Sequence, residues 1–243
     1  MEWHDDGIVL AARKHGESSA IVTLLTRNQG RHLGLVRGGM GRRKRGLFQP
    51  GNRVRATWRA RLAEHLGSFT CEMQDAVAAP HLDDPLKLAA LSAVCAVADA
   101  ALPEREIHQP VYEGLSIFLN ALDDDDWQTV YVKWELGLLQ ELGFGLDFSC
   151  CAATGVTENL THVSPKTGRA VSSQAAEPYR NSLLVLPAFL LENGRAGTPA
   201  EIIEALKLTG FFLERHVFSH TKSGRAPAAR GRLSDRLRRS VAR

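Results

Sequence analysis

The amino-acid sequence predicts an α+β protein of more than one domain: a small five-stranded barrel, then an all-helical domain that an insertion interrupts. Three observations predict it. Five short apolar runs separated by turn clusters fit within the first 75 or so residues. From Pro80 onward the apolar residues recur at helical spacing instead. Between Gly143 and Tyr179 that spacing breaks in a stretch rich in Gly, Ser, Thr and Ala, and it resumes at Leu183. With 243 residues and 44% apolar content, the chain can bury a sizeable core.

The first three strands are expected at Gly7 to Lys14, Ser19 to Thr26 and Arg31 to Arg37, divided by the turn clusters HGES and RNQG. The fourth, Asn52 to Arg61, alternates Val54, Ala56, Trp58 and Ala60 with Arg53, Arg55, Thr57, Arg59 and Arg61, which is the period of a half-buried strand. Leu66 to Asp75 is the fifth, with Phe69, Cys71 and Met73 on one side. Short connections make these strands antiparallel, and five of them suffice for a small closed barrel. Trp58, in phase with Val54 and Ala56, belongs to the core; Phe48 lies in the preceding loop, where it is open to base stacking.

A first helix is expected from Pro85, with Asp83 or Asp84 as its cap, and further helices over Pro110 to Leu122 and Trp127 to Leu142, closed by Gly143. The four acids Asp123 to Asp126 stand before the third of these, where one can cap. In the insertion, a hairpin is expected around Thr161–Val163 and Ala170–Ser172. The helical pattern returns at Leu183 to Leu191 and at Pro199 to His220, and the last residues, rich in Arg, read as a flexible basic tail. The expected divisions are therefore 1–80, 81–145, 146–182, 183–221 and 222–243.

Charge is strongly segregated along the chain. Residues 1–80 hold thirteen Lys or Arg against seven acids, residues 81–160 three against fourteen, and residues 161–243 fourteen against six. From Ser18 to Ala63 there is no acid at all. A single-sign field of that length repels itself unless a polyanion uses it, and with no carboxylate in the stretch to pair with, its cations point to phosphate. The candidate contacts are Arg37, Arg42, Arg43, Lys44, Arg45, Arg53, Arg55, Arg59 and Arg61. Gly38-Gly39-Met40-Gly41 lacks the order of a nucleotide-binding phosphate loop, and no nucleophile or paired-carboxylate constellation stands near the basic face, so chemistry is not required. Acids where a signal peptide would be basic, no apolar run of 18, and four cysteines without a disulfide framework together suggest a soluble, cytoplasmic protein with no membrane partner.

Three stretches, GIVLAARKHGESSAIVTLLTRNQGRHLGLVRGG near the N-terminus, WELGLLQELGFGLDFSC at the junction, and VSPKTGRAVS followed by LLVLPAFL, make the chain resemble the RecO family of bacterial recombination mediators. The resemblance implies an N-terminal OB-fold, a central helical domain and an insertion that binds zinc through two cysteine pairs in some members. Here Cys150 matches the first ligand position, Ala153 stands where its partner would be, and the second pair is represented only by the region of Ser172 to Ala176. The expectation is thus a degenerate zinc-finger-like insertion, no structural zinc and no cofactor. Family resemblance further implies binding of single- and double-stranded DNA and annealing of strands coated by the single-stranded DNA-binding protein. It also implies cooperation with RecR in loading RecA, and association with the nucleoid during repair. Contact with the acidic, apolar tail of the single-stranded DNA-binding protein would need a cation beside an apolar groove, for which Lys133, Lys207 and Arg215 are the candidates. Charge alone leaves open an OB-fold RNA-binding or ribosome-associated factor, since phosphates look alike to arginine.

Overall fold

A computed structural model describes residues 1–41, 44, 46–192, 194–221 and 224–241. The five expected strands are present as β1 (Glu2–His15), β2 (Ser19–Thr26), β3 (Gly30–Val36), β4 (Arg53–Arg59) and β5 (Ser68–Asp75), closed in the order β1-β2-β3-β5-β4. β1 is longer than expected because it serves two neighbours. Its first half pairs with β4, from Glu2 opposite Arg59 to Ile8 opposite Arg53, and its second half pairs with β2. Its register shifts between Val9 and Ala11, where Val9 instead exchanges backbone bonds with Gly51 and Asn52. Every pairing is antiparallel except β3 with β5, which run parallel and meet at a single residue pair, Leu35 with Ser68.

Alternation fills the barrel as predicted: Val54, Ala56 and Trp58 point inward with Val9, Val22, Leu24, Val36 and Phe69. Phe48 joins this core and is only 4% exposed, so it is no free stacking platform. At one end Trp3 stacks on Trp58 with ring centroids 5.8 Å apart, and the buried His32 sits edge-on to Trp58 at 4.8 Å.

Contacts divide the chain into two compact units, Met1–Leu119 with Pro227–Leu233, and Asn120–Ala226 with Ser234–Arg243. The first unit extends past the expected boundary at residue 80, because helices α1 (Pro85–Ala101) and α2 (Gln109–Asn120) follow the barrel and α1 packs against β1. Asp84 caps α1 by accepting from the backbone N–H of Leu86 and Lys87. The Cys95 thiol donates to the Val9 carbonyl, and Arg31 donates to the Leu102 carbonyl at 2.7 Å while pairing with Asp99 at 3.1 Å. A barrel residue thereby satisfies the open end of a helix 71 positions later.

The second unit contains α3 (Trp127–Glu141) and a three-stranded sheet, β7-β6-β8, formed by β6 (Leu160–Val163), β7 (Ala170–Ser172) and β8 (Leu184–Val185). It also contains the single turn α4 (Ser173–Ala176) and α5 (Pro199–Phe212). The expected hairpin is β6–β7. The helix expected over Leu183 to Leu191 is absent: the segment forms β8 and then a 3-10 turn at Ala188–Leu190, since Pro187 lacks the N–H a continuing helix needs. Thr198 and Glu201 form a capping box that starts α5, and a π-helical turn over Leu213–Val217 ends it. α3 and α5 are joined by a buried bond in which the Thr209 hydroxyl donates to Glu135 at 2.5 Å.

The flexible basic tail is not what the chain forms. Residues 228–241 make a helix, α6 (Ala228–Val241), because Ala229, Leu233 and Leu237 recur every fourth residue and are buried, leaving Arg232, Arg236, Arg238 and Arg239 exposed or half-exposed on the other sides. No helix among the described residues is long and apolar enough to cross a membrane.

Candidate nucleic-acid interface

β4 presents Arg55 and Arg59 outward, with Thr57 between them and Arg53 partly covered, as its alternation requires. The pairing of strands then supplies what the local sequence lacks. β1 sets Glu2 beside Arg59 and Asp6 beside Arg55, and β5 sets Asp75 beside Arg53. All three pairs close into ion pairs: Arg59–Glu2 at 2.8 Å, Arg55–Asp6 at 2.7 Å and Arg53–Asp75 at 3.3 Å. The expectation that this row has no carboxylates to pair with is therefore corrected. Its partners come from 22 to 57 residues away in sequence, outside the acid-free interval.

These pairs differ in availability. The Arg55 and Arg59 side chains remain 55% and 66% exposed, so water screens their attraction and a phosphate can compete with the carboxylate. Arg53 is 24% exposed and also donates to the Ser116 carbonyl at 3.0 Å, which ties β4 to α2. Arg53 is thus held by a carboxylate and a backbone carbonyl together. The hydrogen bond from Arg59 holds Glu2 below the usual carboxylate range. For Asp6, partial burial pushes the pKa up, but hydrogen bonds from Arg55 and Gln74 overcome it and hold the group low.

Arg37, just past β3, and Arg61, just past β4, are exposed, and no carboxylate pairs with either among the described residues. Lys44 is exposed and donates to the Arg37 carbonyl at 3.1 Å, which leaves its charge unneutralised. Arg42, Arg43 and Arg45 lie outside the described residues. Arg37 and Lys44 line an open cleft of about 470 Å³ beside the β3–β5 seam.

One residue that sequence reasoning missed shapes the loop carrying Arg61. Arg105 adopts a left-handed backbone conformation (φ 64°), and its guanidinium donates to the carbonyls of Ala63, Glu64 and His65 in the β4–β5 loop. Its own N–H bonds the Arg31 carbonyl at 2.7 Å. A single arginine between Glu104 and Glu106 carries no local sign of that role.

Two family models cover nearly all of this chain: "Recombination protein O N terminal" matches residues 1–75, and "Recombination protein O C terminal" matches residues 82–225. The chain belongs to the RecO family. Among relatives called DNA repair protein RecO, that of Rhodospirillum centenum is 54% identical over 99% of this chain and 96% of its own length. Those of Phenylobacterium zucineum and Rhodospirillum rubrum are 50% and 48% identical, over 98% of this chain and 98% and 97% of theirs.

In the insertion the two adjacent cysteines differ in burial. Cys151, not Cys150, is buried, with its sulfur accepting from the Ser172 N–H at 3.3 Å. Burial pushes this thiol up, but hydrogen bonds from Ser172, Thr154 and the Ala153 backbone bring it down to about 6. Cys150 is half-exposed, and its sulfur accepts from Arg169 at 3.4 Å. One sulfur among hydroxyls does not make the four-ligand set of a structural zinc centre, and no group of three or more metal-binding side chains occurs among the described residues. The donors here do not fit a structural zinc centre.

The cations considered for the tail of a single-stranded DNA-binding protein sit in different surroundings. Lys133 is exposed on α3. Lys207, on α5, is paired with Glu204 at 2.6 Å, and Arg215, on the π turn, lies 5.9 Å from the Phe211 ring centroid.

Proposed function

We propose that this RecO-family chain serves DNA repair as a non-enzymatic recombination mediator. It binds single- and double-stranded DNA through its N-terminal barrel and anneals complementary strands coated by the single-stranded DNA-binding protein. With RecR, it promotes the loading of RecA. The observation that carries the reading is the set of unneutralised cations Arg37, Lys44 and Arg61 on the barrel, beside the weakly paired Arg55 and Arg59. Arg42, Arg43 and Arg45 are assigned to the same surface from sequence alone. Phosphate contacts of this kind are indifferent to base sequence. A surface that neutralises two backbones lowers the repulsion between strands and leaves base edges free to pair, which is the physical requirement for annealing. In this reading the protein works in the cytoplasm, at the nucleoid, and Lys133, Lys207 and Arg215 are the candidates for the partner protein's acidic tail.

The test is annealing of complementary oligonucleotides precoated with the cognate single-stranded DNA-binding protein. Wild type is expected to accelerate it, salt to weaken the effect, and Arg37→Ala with Lys44→Ala and Arg61→Ala to remove most of it. No acceleration by wild type, combined with tighter binding of RNA than of single-stranded DNA at matched salt, would move the assignment to an RNA-binding factor.

A further inference from the structure

The barrel is closed by a seam that holds at one point. β3 and β5 share the pair Leu35–Ser68, with the Leu35 N–H bonded to the Gly67 carbonyl at 3.0 Å, and beyond it their backbones part. The cleft that opens there has a volume of about 470 Å³, within the range of pockets that hold small ligands. Leu35, Phe48 and Phe69 give it apolar walls, and the exposed Ser68 and Thr70 place hydroxyls on its β5 side. Arg37 and Lys44 stand on the same cleft with no carboxylate partner among the described residues. Apolar walls suit a flat, weakly polar ring, hydroxyls suit its polar edge, and paired cations suit an attached anion.

We infer that the seam between β3 and β5 receives one unpaired base of a bound single strand, with the phosphate of that nucleotide on Arg37 and Lys44. The inference rests on the DNA reading above. A base held in a duplex is stacked and paired on its polar edge and cannot enter, so the cleft separates single strands from duplex where phosphate contacts alone cannot. Phe48 and Phe69 are themselves mostly buried and offer the base little of their faces, which places the gain at the lower end of what stacking supplies.

The experiment compares an intact single-stranded oligonucleotide with an abasic one of equal length and charge, using wild type and Thr70→Trp. Thr70 is exposed on β5, so a tryptophan there fills the cleft without entering the core. Wild type is expected to bind the intact strand about tenfold more tightly, and Thr70→Trp to bind both strands as wild type binds the abasic one. Equal binding of the two strands by wild type overturns the cleft and leaves the phosphate surface standing, as does discrimination that survives in Thr70→Trp. Binding of neither strand by wild type overturns the DNA reading itself. Should Thr70→Trp fail to fold, wild type decides alone: a 2-aminopurine base at saturating protein is shielded from acrylamide if the cleft holds it, and quenching as in free strand overturns the proposal.

Discussion

Arg55 and Arg59 show how far a side chain's meaning depends on neighbours distant in sequence. Their alternation with Val54, Ala56 and Trp58 assigns them to the outer face of β4, but only strand pairing reveals that Asp6 and Glu2 stand beside them. Removing those carboxylate charges frees the arginines. Glu2→Gln with Asp6→Asn is expected to tighten binding of single-stranded DNA several-fold at low salt, measured by fluorescence anisotropy, with unchanged or weaker binding as the contrary result. His32 makes a separate prediction at this scale. Burial among Trp3, Trp58 and Phe69 lowers its pKa below the ordinary 6.5, only partly offset by its bond to the Leu33 carbonyl. The unfolded chain therefore takes up this proton before the folded one does. Stability from His32 is complete above the unfolded value and falls as pH drops below about 6.5. Thermal melting between about pH 7.5 and 5.5 should show a shallower acid loss in His32→Gln than in wild type; equal slopes would exclude His32 as the source.

At the scale of elements, local periodicity located the strands and most helices well, because period-2 and helical patterns state which residues face inward. The C-terminal segment shows the limit. Its many arginines hide the four-residue recurrence of Ala229, Leu233 and Leu237, and charge density alone suggests an unfolded tail. Leu233 is fully buried. Leu233→Ala is expected to destabilise the protein by roughly 2–5 kcal/mol in urea unfolding, and a solvent-like change of a few tenths would return this segment to the tail reading. The Leu183–Leu191 segment errs in the opposite sense: apolar spacing allows a helix, while Pro187 and the pairing of β8 with β6 impose an extended chain. In the insertion, spacing could not choose between adjacent cysteines. Cys151 is the buried one, and its sulfur accepts the N–H of Ser172 at the end of β7.

At the scale of the whole molecule, the segregation of charge along the chain becomes a prediction about salt. If Arg37 and Arg61 each neutralise a phosphate of a bound single strand, replacing either with alanine lowers the slope of log affinity against log salt by about 0.7. Titrations at several salt concentrations measure this directly, and a slope unchanged in both variants would remove these residues from the interface. The acid-rich middle of the chain does not share this positive charge, whereas residues 161–243, with fourteen Lys or Arg against six acids, do.

Linear order alone places a five-stranded barrel first and helices after it, sets arginine on one face of the fourth strand, and gathers positive charge before residue 63 and again after residue 160. These properties follow from periodicity and composition, which are local. Tertiary structure alone decided which arginines remain available. Strand register brings Glu2, Asp6 and Asp75 to three of them, a single parallel pair leaves the β3–β5 seam open beside Arg37 and Lys44, and Arg105 reaches back to hold the loop that carries Arg61. Each is a meeting of residues far apart along the chain. Their interaction depends on distance in space, and linear order does not encode that distance until the strands have paired.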